Sequence, residues 1–474
     1  MSAAIGASVR MYRQGLGDCF LVTFRQGMKQ AQILIDCGVV LGAPKGQERT
    51  AEVVERLAED CGGWLDVVVV THEHWDHVSG FKTAREIFEE KIDIGEIWMA
   101  WTEDPEDRLA AAIRRERGER VKKLGAALRQ WQAVAHEAVR PDDRDDWRSA
   151  LARAATESLL DFFGPGDLSA KGDKTREALS FLKDHAAPKK YLSPGDEGSL
   201  PRVGGVRVYV LGPPRDREAI KKDLPSKRDP ETYEEGMRLS ASASFLAAAA
   251  ATSGSEDGED ERYKPFDAFF RVSPEEAQTD HFFVSRYGFN AGSRTDAPDS
   301  APIWRRIEED WLALTSELAL MLDSDTNNTS LVLAFELGEG GDVLLFAADA
   351  QVGNWMSWDS AEFDRDGIDA ADLLSRTVFY KVGHHASHNA TLREKGLERM
   401  KSRRLSAFIP VHQTTANKIG WSKMPFGPLL ERLQEKCRHR IVRLDRGVDD
   451  EASQAFTRSI EEHDLFFEIK LGAK

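Results

Sequence analysis

Three of the chain's 12 histidines fall within one short segment, Thr-His-Glu-His-Trp-Asp-His, which ends at His77. Imidazole and carboxylate groups are the ligands that zinc, manganese and iron take from proteins. In an extended segment, side chains two residues apart point the same way, so His72 and His74 can converge on one ion. If the chain then bends, Asp76 and His77 can reach a neighbouring position. The segment therefore predicts a metal site for one or two ions.

The elements that position this segment are predicted from hydrophobic patterns. Leu65–Val70 is a run of mostly β-branched residues, typical of a strand buried on both faces. An amphipathic helix is predicted near Thr50–Glu59, and Val206–Leu211 predicts a later strand. In the last third, strands are predicted at Leu331–Phe335, Val343–Phe346, Val378–Val382, Leu405–Val411 and Ile441–Leu444, with helices near Leu392–Lys401 and Leu429–Cys437.

Two long stretches interrupt the strand pattern, which favours one divided catalytic fold over a string of domains. We predict a first half at 1–100, a helical insertion at 101–200, a core strand at 201–214, an irregular and helical insertion at 215–326, and a second half at 327–474. Arg114 and Arg117 lie in the first insertion. They could form a phosphate-facing side of a cap, although a solvated helical face is the simpler interpretation.

Composition narrows the classes of function. The net charge of −16 argues against a general nucleic-acid coat, because phosphate binding is driven by Lys and Arg. It leaves room for a nuclease, in which metals and local arginines supply the positive field. The cysteines have no paired spacing, which argues against a disulfide framework. No apolar run is long enough to span a bilayer, and Met1–Ser8 lacks a signal pattern, so we expect a cytoplasmic protein without membrane association.

The histidine segment resembles the HxHxDH hallmark of the metallo-β-lactamase superfamily. Ile33–Gly38, Leu344–Asp349 and Lys381–Ser387 are similar to other motifs of that superfamily and follow in the same order. The resemblance implies an α/β fold, an αββα sandwich with the metal site at one end, with the helical insertions added to it. Gly15–Cys19 and Asn327–Leu333 extend a narrower resemblance, to the hydrolase domain of ComEC-type DNA-uptake proteins.

The resemblance implies roles for individual residues. Those implied as metal ligands are His72, His74, Asp76, His77, Asp349 and His385. Those implied in catalysis are Asp36, Asp76, Asp349 and His384, with Asp36 orienting a ligand and His384 orienting substrate or donating to phosphate. Asp18, Asn328 and His412 are further candidates near the substrate, and Lys381 is a candidate there as a positive group beside a phosphate. One departure is visible, because no histidine lies between His281 and His384 to complete the first metal's ligands. Either asparagine or water completes that site, or only one ion binds tightly.

The predicted function is metal-assisted hydrolysis with one or two divalent ions, zinc or manganese. A bound ion lowers the pKa of its water enough to give hydroxide near neutral pH. The ComEC-like pattern favours a phosphodiester substrate, hence a phosphodiesterase or nuclease. Two alternatives stay open: a carbonyl-centred hydrolase of a lactone, thioester or β-lactam, and a catalytically weak scaffold. The helical insertions are a candidate surface for a protein partner, and a homo-oligomer is a further candidate arrangement.

Overall fold

The computed structural model describes residues 4–41, 43–119, 174–222, 231–233, 272, 276, 279–287, 325–419, 421 and 423–472. Large parts of the insertions predicted at 101–200 and 215–326 therefore lie outside the described residues. The chain divides into two compact units. The first comprises 1–117, 157–238 and 321–474, and the second comprises 118–156 and 239–320. In the second unit the longest described element is a helix, His281–Tyr287.

The described strands of the first unit form two eight-stranded sheets. The first sheet has the order β15-β16-β1-β2-β3-β4-β5-β6 and the second the order β14-β13-β12-β11-β10-β9-β8-β7. The strands are β1 Ile5–Tyr12, β2 Cys19–Gln26, β3 Lys29–Cys37, β4 Trp64–Val70, β5 Asp93–Ala100, β6 Lys189–Leu192, β7 Glu197–Ser199, β8 Val206–Gly212, β9 Val332–Leu337, β10 Asp342–Phe346, β11 Thr377–Lys381, β12 Ser406–Ile409, β13 Ile441–Arg443, β14 Gly447–Val448, β15 Ile460–Glu462 and β16 Phe466–Gly472.

Helices cover the outer faces of both sheets. In the first unit they are α1 Gly46–Cys61, α2 Trp75–Thr83, α3 Arg85–Lys91, α4 Lys174–Asp184, α5 Arg217–Ile220, α6 Val352–Ser357, α7 Ala370–Ser375, α8 Gln413–Lys418, α9 Gly427–Cys437 and α10 Gln454–Thr457. Residues 108–119 are also helical. Short 3-10 turns lie at Trp101–Glu103, Trp358–Ser360, Gly383–Ala386 and Leu397–Arg399. Within the described part of the chain, every helix is too short or too polar to cross a membrane.

The alternation of side chains along β4 shows how the layers are built. Val67 and Val69 point into the core between the sheets, where they join Phe335 and Phe346 of the second sheet. Val68 lies on the opposite face and packs with the helices outside the first sheet. The prediction of a strand buried on both faces is confirmed, and the layers run helix, sheet, sheet, helix.

Parallel strand pairing decides where polar side chains collect. In the first sheet β3, β4, β5 and β6 run parallel, and in the second β10, β11, β12 and β13 do. The carboxyl ends of parallel strands meet at one edge of a sheet, where polar side chains can converge. The turns that follow β3, β4, β10 and β11 begin at or close to Asp36, Thr71, Asp349 and Val382. The fold therefore brings distant motifs to one edge.

Two strands fall where the sequence predicted part of a helical insertion. β6 extends the first sheet by pairing with β5 in parallel, and β7 extends the second by pairing with β8 antiparallel. Both are short, at Lys189–Leu192 and Glu197–Ser199. Such short edge strands depend on a neighbouring strand for their hydrogen bonds, so their own residues carry little periodic signal.

Candidate metal centre

The segment His72–His77 turns from β4 into α2, and the turn is fixed at both ends. Leu331 N donates to Thr71 O at 2.9 Å, which links the end of β4 to the start of β9 in the second sheet. His74 stands at the N-cap position of α2 with extended backbone. Asp76 and His77 then lie in the first helical turn. An extended stretch followed by a helix explains why the first two histidines separate from the later two ligands.

Four donors from three distant segments converge at this turn. Asp76, His77, Asp349 and His385 each offer one ligand atom, and these atoms all lie within 4.8 Å of one another. His385 Nε2 is 2.8 Å from Asp76 Oδ2, and His77 Nε2 is 3.1 Å from Asp349 Oδ2. All four side chains are fully buried. Topology therefore brings together a carboxylate and an imidazole from each sheet.

A second pair of donors lies beside this group. His72 Nε2 and His74 Nδ1 are 3.0 Å apart, and the imidazole rings of His72 and His77 have centroids 4.1 Å apart. Burial lowers the pKa of His72 well below its usual range and lowers the pKa of His74 to about 3. Both rings are therefore neutral at pH 7, the protonation state in which an imidazole binds a metal ion.

The surrounding charges fit divalent cations. Asp18, Asp36, Asp76 and Asp349 are all buried around the cluster, together with the cation Lys381. Buried carboxylates are costly unless cations compensate them. Moreover, no donor in the described part of the chain reaches the buried Asp76 Oδ1. The oxygen and nitrogen donor set suits Zn²⁺ or Mn²⁺.

The pKa values of the imidazoles nearest the carboxylates shift upward. Burial opposes protonation of His77, but Asp349, Asp76, Asp18 and Asp36 outweigh it and raise its pKa well above the usual value. His385 follows the same pattern, with Asp76 as its hydrogen-bond partner. The carboxylates thus attract positive charge to these nitrogens. A divalent ion would compete with protons for the same lone pairs, so metal binding should release protons.

Two acceptors behind the cluster fix the ring orientations. Asp36 Oδ2 lies 2.7 Å from His77 Nδ1 and accepts from Thr71 Oγ1 at 2.6 Å, while Asp36 Oδ1 accepts from Thr71 N at 2.8 Å. His385 Nδ1 lies 2.8 Å from Pro410 O, at the end of β12. In each case Nδ1 contacts an oxygen of the protein, and this contact orients the ring so that Nε2 faces the cluster. Such partners orient metal-binding histidines.

Replacing Asp36 with asparagine should weaken metal binding by about 10- to 100-fold, the usual cost of losing such a partner. Asp36 has φ 55, a left-handed conformation that asparagine also adopts readily, so the backbone should be kept. The amide has one acceptor oxygen where the carboxylate uses two. Competition titration with a chelating dye measures the affinity. An affinity equal to that of the wild type would show that Asp36 does not orient His77.

His384 lies beside the cluster, and two polar side chains contact its Nδ1. Gln351 Nε2 lies 3.2 Å from this nitrogen and Ser387 Oγ lies 2.9 Å from it. Burial lowers the pKa of His384 to about 4, so the ring is neutral at pH 7. His384, His385 and Ala386 all have positive φ, a strained run typical of functional sites. The sequence predicted that His384 orients substrate or donates to phosphate, and this role stays a prediction.

The structure places the four predicted substrate residues differently from one another. Asp18 and Lys381 lie at the cluster and pair with each other. Among the described residues, Asn328 makes no hydrogen bond to the cluster. Its Nδ2 donates to Ile220 O and Lys222 O at 3.0 Å, and its Oδ1 accepts from Asn354 N. His412 Nδ1 accepts from Thr415 N and caps α8.

Asn328 lies in the stretch where the sequence lacks the expected histidine. Its side chain fastens the end of α5, where the second insertion begins, against Asn354 of α6. Asn354 in turn donates to Asn328 O and to Ser330 O. The Asn328 and Asn354 side chains thus form a buried amide network, and the Asn328 amide is not available to an ion.

Sequence reasoning missed the supporting roles of several groups. Pro410 O acts through its main chain, which leaves no signal in the residue type. Arg117 is buried and pairs with Glu73, between the two first histidines. Gly38 packs its backbone against Asp76, where a Cβ atom would lie 2.3 Å from Asp76 C. In the sequence, Gly38 belongs to the Ile33–Gly38 motif and Arg117 is a candidate phosphate contact, but residue types alone do not indicate their contacts with the metal segment.

Comparison with known families adds an independent observation. Residues 13–169 match the metallo-β-lactamase superfamily. The match includes the whole histidine segment and its orienting Asp36, whereas Asp349 and His385 lie beyond it. No curated protein matches the chain. The αββα arrangement of the two sheets agrees with the matched family, so the predicted metallo-β-lactamase fold is confirmed. The narrower resemblance to ComEC-type proteins stays a prediction.

Proposed function

We propose that the protein is a metal-dependent hydrolase of phosphodiesters, a phosphodiesterase or nuclease. The observation that carries this proposal is the contiguity of two donor groups, the four-residue group of Asp76, His77, Asp349 and His385 and the adjacent histidine pair. Donor groups side by side suit two ions, and paired ions are suited to an in-line displacement at phosphorus. When bound, such ions would lower the pKa of a water molecule and neutralise charge on the phosphate.

The chain's own residues would prepare the site for this reaction. Asp36 and Pro410 O hold two imidazoles in place, as described above. Asp76 Oδ2 contacts His385, while Asp76 Oδ1 is buried without a hydrogen-bond donor from the described residues and can ligate an ion or accept a proton. His384, whose neutral ring lies beside the cluster, would orient the substrate. Together they supply orientation and proton acceptance.

A carbonyl-centred hydrolase is the second candidate, and one observation favours it. The arginines that the sequence suggested as phosphate contacts bind groups within the protein instead. Arg114 donates to the main-chain oxygens of Thr102 and Asp104, and Arg117 pairs with Glu73. A lactone, thioester or β-lactam does not require a cation from the protein, so this arrangement would serve it equally well.

Turnover of matched substrates by metal-reconstituted protein separates the two candidates. We expect Mn²⁺ or Zn²⁺ to restore hydrolysis of bis-p-nitrophenyl phosphate and single-stranded DNA to metal-stripped protein. Hydrolysis confined to lactone, thioester or β-lactam substrates would overturn the phosphodiester proposal and favour the second candidate. If no substrate is turned over although metal is bound, the scaffold alternative gains support.

A further inference from the structure

Lys381 is a buried ammonium group at the end of β11, and the protein provides an acceptor for each of its three protons. Its Nζ donates to Ala348 O at 3.0 Å, to Asp349 Oδ1 at 3.2 Å and to Asp18 Oδ2. The side chain is 2% exposed. An ammonium group engaged in this way has no proton left for a substrate phosphate, so its role lies within the protein.

The two oxygens of Asp349 have different environments. Oδ1 accepts from Lys381 Nζ and, at 3.0 Å, from His384 N. Oδ2 faces the cluster, 3.1 Å from His77 Nε2. Rotating the carboxylate would break both hydrogen bonds to Oδ1 inside a buried site, where an unsatisfied charged group is costly. Oδ1 is therefore fixed by hydrogen bonds within the protein, whereas Oδ2 faces the cluster and is available to an ion.

Asp18 holds the lysine from the opposite side. Its main chain is fixed to two other segments, since Asp18 N donates to Asp76 O at 3.1 Å and Asp18 O accepts from Gly38 N at 2.9 Å. The Asp18 carboxylate therefore has a fixed position relative to the metal segment. A buried lysine between two carboxylates is stable only as long as both partners remain. Any shift of Asp18 would be passed to Asp349 through Lys381.

We propose that Asp18 and Lys381 are a positioning pair, which orients the Asp349 carboxylate so that Oδ2 faces the metal ion. Asp76, His77 and His385 would hold the same ion. The pair sets ligand geometry and does not touch the substrate. This inference rests on the metal site of the proposed function and not on its substrate. It replaces the expectation that Asp18 and Lys381 contact the substrate.

Cobalt binding tests this geometry without turnover, because the visible absorption of Co²⁺ reports how its ligands are arranged. Metal-stripped wild type and Lys381→Met would be titrated with Co²⁺. We expect Lys381→Met to bind about 10- to 100-fold more weakly and with an altered absorption spectrum. The double variant Lys381→Met/Asp18→Asn removes one positive and one negative charge together, so the net charge of the site is unchanged, and Asp349 keeps its contact with His77. It should show the same changes, and it decides the question if the single variant fails to fold.

Arg376→Met is the matched control. Arg376 precedes β11 at the opposite end of the strand and pairs with the buried Glu336, so its loss should lower the melting temperature without changing Co²⁺ binding. Wild-type affinity and spectrum in the folded Lys381 variants would overturn the positioning role while leaving the metal site in place. A wild-type protein that binds no Co²⁺ would overturn the metal site itself, and this inference with it.

Discussion

Replacing Asp76 with asparagine is expected to lower turnover by about 10³-fold, since several kcal/mol of charge stabilisation depend on the bound metal. Asp76 Oδ2 lies 2.8 Å from His385 Nε2 and 3.8 Å from His77 Nε2, so this carboxylate joins the two halves of the cluster. Asparagine keeps the shape and removes the anionic ligand. Steady-state hydrolysis of bis-p-nitrophenyl phosphate at saturating metal, with metal content measured in parallel, checks the result.

Asp66→Asn supplies the matched control for this variant. Asp66 is also buried, and it lies near the start of β4, whereas the metal segment follows the end of that strand. Its carboxylate accepts from Gln32 N and Trp64 Nε1. Its replacement should cost some stability and leave metal content and turnover near the wild-type level. Equal losses in the two variants would mean that the Asp76 effect comes from the fold rather than from the metal site.

Replacing Gly38 with alanine is expected to reduce turnover by about 10²-fold, because a displacement on the order of 1 Å in a site can cost that much. A Cβ atom at this position would lie 2.3 Å from Asp76 C and 2.5 Å from His77 N. Both are backbone atoms of the metal segment and cannot rotate away. The segment must therefore move, and overpacking of this kind costs about 1–3 kcal/mol of stability. Turnover, metal affinity and thermal unfolding of the variant measure these effects.

Gly198→Ala is the corresponding control, since a Cβ atom there has nothing within 4 Å. It should leave metal affinity and turnover unchanged. If Gly38→Ala behaved in the same way, the close contact between the glycine and the metal segment would not be needed to position Asp76 and His77.

The parts of the site that could be predicted from sequence are those encoded locally. His72, His74, Asp76 and His77 follow one another along the chain, so their types and spacing indicated a metal site without any knowledge of the fold. Asp349 and His385 were assigned only through the family resemblance. Their approach to the cluster depends on parallel pairing of β10, β11 and β12, which no local pattern specifies.

The secondary structure was predicted best in segments where burial requires a regular spacing of hydrophobic residues. The strand after Gly63, the hairpin of β9 and β10, and the helix α9 are confirmed. The helix predicted near Leu392–Lys401 is wrong, since only the 3-10 turn Leu397–Arg399 forms there. Gly396 makes a tight turn against Leu392 O, and Arg393 N donates to Glu231 O, a partner distant in sequence. Tertiary hydrogen bonds override a helical pattern that the residues alone favour.

The roles of Asn328 and Lys381 could not be inferred from sequence either. Both residue types bind substrates in many sites, and only the positions of Ile220, Asp18 and Asp349 show that their polar atoms are already used. The identity of a residue gives its chemistry, whereas its availability depends on which groups the fold places around it.

Equilibrium metal binding tests the central claim most directly. Metal-stripped wild type and a His74→Ala/Asp76→Ala variant would be titrated with Zn²⁺ and Mn²⁺ by calorimetry, and their thermal unfolding followed with and without metal. We expect the wild type to bind one or two ions, and metal at 100 times its dissociation constant to stabilise it by about 2.7 kcal/mol. The variant should fold without that gain. Unchanged binding in the folded variant, or no binding by the wild type, would contradict a metal centre built on this cluster.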